Sequence, residues 1–146
     1  MDINGLTSRI IGAAMRVHSE LGPGLLESVY QKCMEQELRE AGLTVGAEVI
    51  VPLRYRGKCL IEDAFRIDLL VEDLVVVELK AVDEVKAVHK KQLLTYLKLA
   101  GKPVGLLINF NSVLLKDGIE RLVHHLPEQG NQNPSANSAN SARDRI

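Results

Sequence analysis

The stretch Phe65-Arg-Ile-Asp-Leu-Leu-Val-Glu-Asp-Leu-Val-Val-Val-Glu-Leu-Lys80 constrains the fold more than any other part of the chain. It reads as two consecutive β-strands, near Leu60–Val71 and Leu74–Lys80, with a turn at Glu72-Asp73. Successive side chains of a strand point to opposite faces, so Val75, Val77 and Leu79 share one face and Val76, Glu78 and Lys80 the other. One face packs a core; the other carries a polar row. If the two strands pair, Asp68 approaches Glu78 across the ladder. Charge set into apolar strand sequence is costly to bury without a partner or a metal. Two acids with a lysine two residues on therefore form a candidate site for a hard divalent cation with a cationic neighbour.

The flanking segments supply the rest of a domain. Thr7 or Ser8 is expected to cap a first helix that carries Ile10, Ile11, Ala14, Val17, His18 and Leu21 at helical spacing, ended by Gly22-Pro23-Gly24. A second helix is expected from about Leu25 to Ala41, with Leu26, Tyr30, Cys33 or Met34, and Leu38 turned inward and Gly42 as terminator. Val45 to Tyr55 reads as a strand that Pro52 places at an edge or at a bulge, and Arg56-Gly57-Lys58 as a turn. Helical periodicity returns from about Asp83 to Ala100 and stops at Gly101-Lys-Pro103. Val104 to Phe110 is a buried strand by its apolar character, and Ile119 to Leu126 a short strand or helix. A helix between the third and fourth strands implies parallel pairing within the sheet. From Pro127 the chain turns to Asn, Ser, Ala, Gly and Gln, so 127–146 is expected to be a disordered tail and 1–126 a single domain.

Composition excludes more than it selects. A chain of 146 residues, 46% hydrophobic and 25% charged, suits one globular domain with an ordinary core. Its formal net charge of −1 announces no polyanion binder, so attraction for phosphate has to be local. Glu84 to Lys102 holds five lysines and one acid, five minus one giving a local charge of +4, with Lys91, Lys98 and Lys102 on the exposed side. Such a stripe steers a nucleic-acid backbone or is an ordinary solvated face. Cys33 and Cys59 are too few for a disulfide framework or a zinc signature and read as reduced thiols of a cytoplasmic protein. The N-terminus lacks the pattern of a secretory signal, and no apolar run approaches the roughly 20 residues of a membrane span. Walker A, G-x-G-x-x-G, H-E-x-x-H and G-x-S-x-G patterns are absent.

Several polar residues have two readings. Glu27 opens the second helix, where the dipole favours an acid in any case. Tyr30 follows one turn later on the same face. His89, Gln92 and Tyr96 share a narrow arc beside Leu93, Leu97 and Ala100, as a site or as an amphipathic boundary. Asp68 or Glu78 can equally lie on a solvated edge and pair with Lys80 or Arg66.

The spacing D-x9-E-x-K of Asp68, Glu78 and Lys80 resembles the active-site signature of the PD-(D/E)XK nuclease superfamily. Gly24-Leu-Leu-Glu27-Ser-Val-Tyr30 resembles the G-x-x-E-x-x-Y pattern of the GxxExxY protein family within it. The likeness continues through Asp68-Leu-Leu-Val-Glu-Asp, Val77-Glu-Leu-Lys-Ala81, Gln92-Leu-Leu-Thr-Tyr96 and Gly105-Leu-Leu-Ile-Asn-Phe110. It implies a restriction-endonuclease-like, three-layer α/β domain whose mixed, mainly four-stranded sheet follows the order helix, helix, strand, strand, strand, helix, strand. It implies Mg²⁺ or Mn²⁺ held by Asp68 and Glu78, joined by the Leu79 carbonyl, with Glu27 as a further ligand or water-holding carboxylate. Lys80 would act on the attacking water and the developing charge, and Gln92 and Tyr96 would form the auxiliary motif. Tyr30, Tyr96, Lys91 and Lys98 are the expected nucleic-acid contacts. The residue before Asp68 is Ile67 rather than proline. The implied activity is metal-dependent hydrolysis of nucleic-acid phosphodiesters, with DNA expected over RNA, no membrane, and a homodimer open to a chain this small. A non-catalytic binding module for nucleic acid or protein on the same fold, or a hydrolase of another phosphoester such as a nucleotide, is the alternative.

Overall fold

Strand alternation sorts the molecule into layers. A computed structural model describes residues 2–126; the Asn/Ser/Ala-rich stretch expected at 127–146 lies outside the described residues. The elements run α1 (Ile3–Leu21), α2 (Glu27–Glu40), β1 (Val45–Tyr55), β2 (Lys58–Val71), β3 (Val75–Lys80), α3 (Ala87–Ala100), β4 (Val104–Asn109), a 3-10 turn at Leu115–Gly118 and β5 (Ile119–Val123). The five strands lie side by side in sequence order, antiparallel except for the parallel β3–β4 pair. The crossover helix α3 dictates that parallel pair, because two strands running the same way need a long connection.

One face of the sheet, with Leu69, Val71, Val77, Leu79, Leu106 and Ile108, packs under α1 and α2. The other, with Ile67, Val76 and Leu107, packs under Leu93, Tyr96 and Leu97 of α3. The result is the expected three-layer α/β arrangement. Each fully buried Leu or Ile stabilises it by roughly 1.5–3 kcal/mol. Gly105 lets α3 approach β4 closely, since a Cβ there would stand 2.9 Å from Leu93.

The structure corrects several expectations. Among the described residues the sheet has five strands where mainly four were expected, because Ile119–Val123, read as a strand or a helix, is a strand that pairs antiparallel with β4. The cap of α1 is Asp2, not Thr7 or Ser8; its carboxylate accepts the Asn4 and Gly5 amides at 3.2 and 3.1 Å. Thr7 is instead inside the helix, donating to the Asn4 carbonyl at 3.0 Å. Leu26 is extended backbone before α2 and is 74% exposed, so it does not join Tyr30, Met34 and Leu38 in the buried stripe. Helix α3 starts at Ala87 rather than near Asp83, because residues 81–86 carry the chain off the sheet. Pro52 meets both of its alternatives: β1 is an edge strand, and its register with β2 shifts between Val51 and Leu53.

The turn between α1 and α2 is built around Tyr30. Gly22 and Gly24 have φ of 70° and 98°, a region other residues rarely enter. The Tyr30 hydroxyl donates to the Gly22 carbonyl at 2.6 Å and accepts the Leu25 amide at 3.1 Å, while its ring stacks on Phe110 at 4.5 Å. This fixes where α2 begins, and so where Glu27 stands.

Candidate active site

The β2–β3 ladder stops where the acids begin. Its rungs are Val71↔Val75, Leu70↔Val76 and Leu69↔Val77; Asp68 and Glu78 face each other at the next position. There, side chains replace the backbone bonds of the ladder. The Asp68 amide donates to Glu78 Oε1 at 3.1 Å, and the Leu79 amide donates to Asp68 Oδ2 at 2.8 Å. Backbone pairing of β2 with β3 ends here, and a carboxylate from each strand accepts an amide of the other. Continuation of β3 does not depend on β2, because β4 supports it through Lys80↔Asn109 and through the Phe110 amide on the Lys80 carbonyl at 2.9 Å.

The electrostatics follow from this enclosure. Glu78 is 7% exposed. Burial, reinforced by the charge of Asp68, pushes its carboxyl from 4.5 up to about 8. Burial also raises Asp68; the Leu79 amide opposes that rise, and the charge of Glu27 adds to it. The charge of Lys80 favours ionisation of both acids. Without a cation the pair therefore retains a proton at neutral pH, a property of the two groups together.

Three further residues gather around this pair. Glu27, the first residue of α2, accepts the Ala81 amide at 3.3 Å and so reaches the end of β3 from another layer. Lys80 lies on the Glu78 face of β3 and makes no direct ion pair among the described residues. Tyr96 packs its ring on Phe65, 5.4 Å between centroids, and its phenol is raised by burial first and then by the charges of Glu78 and Asp68.

Other expected site residues lie elsewhere or face outward. Tyr30 has no exposed surface, so no part of it meets a nucleic acid in this fold; its hydroxyl and ring are committed to the Gly22–Gly24 turn and Phe110. Gln92, Lys91 and Lys98 are exposed on α3. Lys102, from the same stripe, pairs with Asp73 at 2.8 Å. His89 accepts the Lys86 amide at the start of α3, and His18 contacts the Ser112 carbonyl at 2.8 Å; both are structural positions.

Asn109 adds a residue that spacing alone does not single out. It is 3% exposed at the end of β4, and its amide group pairs with both backbone groups of Val82, at 3.1 and 2.8 Å. It holds the chain that leaves Lys80 as a ladder would. An asparagine within Leu-Leu-Ile-Asn-Phe is the available signal, since a polar amide buried in strand sequence requires partners.

The donor set fits a hard dication. A buried carboxylate and a partly buried one that together retain a proton can exchange it for a cation, and Mg²⁺ takes one or two carboxylates while keeping several waters. Among the described residues no group of three His, Cys, Asp or Glu side chains is arranged to hold a metal. Among known families, the model described as PD-(D/E)XK nuclease superfamily matches residues 4–122, spanning Glu27, Asp68, Glu78, Lys80 and Gln92. No curated protein and no solved structure matches the chain.

Proposed function

The chain belongs to the PD-(D/E)XK nuclease superfamily, and from that premise we propose that it hydrolyses nucleic-acid phosphodiester bonds with Mg²⁺, or Mn²⁺ in its place. The observation that carries this reading is the pairing of buried Glu78 with partly buried Asp68 at the open end of the β2–β3 ladder. Superfamily membership implies a nucleic-acid substrate and a divalent metal; DNA rather than RNA is our proposal. The Gly24 to Tyr30 spacing supports placing the chain in the GxxExxY family.

Asp68 and Glu78 would hold the metal directly, with the Leu79 carbonyl as a further oxygen donor. What a bound Mg²⁺ supplies there is charge neutralisation at the phosphate and a water of lowered pKa. Glu27, anchored on the Ala81 amide, would orient a water at the same end of β3. Lys80 would place its ammonium against the negative charge that grows on the phosphate oxygens. Tyr96 would hold Glu78 and Asp68 on the α3 side, and Gln92, Lys91 and Lys98 would meet the substrate backbone from the exposed face. The proposal assigns this machinery to one domain over 1–126. It includes a homodimer, which doubles the surface offered to a duplex, and a cytoplasmic setting, in keeping with the free thiols of Cys33 and Cys59. Among the described residues no helix is long and apolar enough to cross a membrane.

The test is a cleavage assay on duplex DNA, single-stranded DNA and RNA with Mg²⁺ or Mn²⁺, run beside Asp68→Ala and Lys80→Ala variants. Metal-dependent cleavage lost in both variants supports the reading; activity that persists in them overturns it.

A further inference from the structure

We propose that the β1–β2 hairpin is an arm that grips a nucleic-acid backbone with Arg54, Arg56 and Lys58 at its tip. The inference rests on the nucleic-acid reading above and extends it to a part of the chain outside the carboxylate site.

Strands β1 and β2 pair from Val45↔Val71 out to Tyr55↔Lys58, but β3 pairs only with Leu69–Val71. Beyond those rungs the hairpin has two strands. Helix α3 covers its base through Val49, Val51, Phe65 and Ile67, and every residue from 54 to 63 is exposed. Because β2 runs antiparallel to β3, the part of β2 that precedes Asp68 continues past the Lys80 end of β3. The arm therefore projects from the same end of the sheet as the acids. Glu48 lies level with Asp68, between the rungs Ala47↔Leu69 and Val49↔Ile67. The seven residues from there to Tyr55, at about 3.3 Å each, give a reach of about 23 Å. That spans about seven phosphates of one strand at ~3.4 Å spacing.

The tip has the chemistry for phosphate. Val49 to Ile61 contains three cations, Arg54, Arg56 and Lys58, and no acid. None of the three is in an ion pair among the described residues. The acids Glu62 and Asp63 sit lower, where the register shifts opposite Pro52. The Arg56 guanidinium lies over the half-exposed Tyr55 ring, 5.4 Å from its centroid, which presents a flat cationic surface. The turn sets Arg56 at the apex of the hairpin, between Tyr55 and Lys58. Arg56 and Gly57 have φ of 52° and 79°, positions where a two-residue hairpin turn ordinarily takes Asn, Asp or Gly. Leu60 and Ile61 are also exposed on the arm, so a second copy of the chain is the competing occupant.

The experiment uses the full chain and a variant with Arg54→Ala, Arg56→Ala and Lys58→Ala. Binding to a fluorescent DNA duplex longer than the arm's reach is followed by anisotropy in EDTA across a salt series. The slope of log affinity against log salt should become shallower by about 2.7 in the variant, from about 0.9 for each lost phosphate contact. A variant with Arg54→Lys and Arg56→Lys should retain the slope. Equal slopes for wild type and the alanine variant, or no binding by wild type, overturn the arm. Dissociation of a wild-type dimer by the alanine substitutions, with the slope unchanged, assigns the arm to self-association and also overturns it. Tip-dependent binding by a protein that cleaves nothing supports the arm while refuting the nuclease. Cleavage that ignores the tip does the reverse.

Discussion

The backbone amide of Asp68 donates to the carboxylate of Glu78 at 3.1 Å, at the position where the β2–β3 ladder would otherwise continue. The reciprocal side-chain bond, from the Leu79 amide to Asp68 at 2.8 Å, completes a two-way exchange between the strands. Each carboxylate thus has one oxygen fixed by backbone, which orients both groups before any ligand arrives.

This enclosure predicts a stability that declines with pH. A carboxyl whose pKa is raised in the fold binds its proton more tightly there than in the unfolded chain. Its contribution is complete below the unfolded pKa and is lost as pH rises through the folded value. For Glu78 that window runs from 4.5 to about 8, and the raised Asp68 acts in the same direction. Glu78→Gln should flatten the decline and be the more stable protein at about pH 9 by on the order of 2 kcal/mol. Urea titrations of both proteins in EDTA, at about pH 5 and about pH 9, check this. Parallel profiles would show that the acidic pair holds no extra proton in the fold.

Lys80→Ala should separate chemistry from folding. Lys80 makes no direct ion pair among the described residues, so its loss should change stability by less than about 1 kcal/mol. Cleavage should fall by roughly 100-fold or more. Single-turnover rates measured beside denaturation midpoints give both numbers from one preparation. A large loss of stability would assign the lysine to structure instead.

Asn109→Ala should loosen the exit of β3 without touching the carboxylates. It removes both amide contacts to Val82, which predicts a destabilisation of about 2 kcal/mol. The Val82 amide should lose protection from hydrogen exchange ahead of the rest of the sheet. Uniform protection in the variant would show that other contacts hold this segment.

Tyr30→Phe should keep the stack on Phe110 while losing the bonds to Gly22 and Leu25. The expected effect is about 1–2 kcal/mol of stability, with no change in affinity for DNA, because the ring has no exposed surface. Melting curves and anisotropy titrations test the two halves separately. A selective loss of affinity would contradict the enclosed position.

Much of the fold and the acidic pair is legible in the residues because it depends on period and spacing. Alternation through Val75–Lys80 assigns the faces of β3, and the helical period between β3 and β4 implies the parallel pair. The approach of Asp68 to Glu78 needs only antiparallel pairing and a short turn. What stays hidden depends on contacts between distant segments. Nothing local distinguishes Leu26, which is exposed, from Leu38, which is buried. The enclosure of Tyr30 comes from Phe110, on the far side of the sheet sequence. Asn109 acquires its role only when β4 lies beside β3, and the hairpin arm is visible only once β3 is seen to stop supporting β2.

The strand that carries Glu78 and Lys80 leans on a neighbour made later: Lys80 pairs with Asn109, and its carbonyl is taken by the amide of Phe110. On the ribosome, all three ionic groups emerge well before that support does. A nascent chain that stops short of Asn109 therefore lacks one edge of the strand on which Glu78 and Lys80 sit. Completion of the acid-bearing strand is thus tied to a segment made some thirty residues later in the chain.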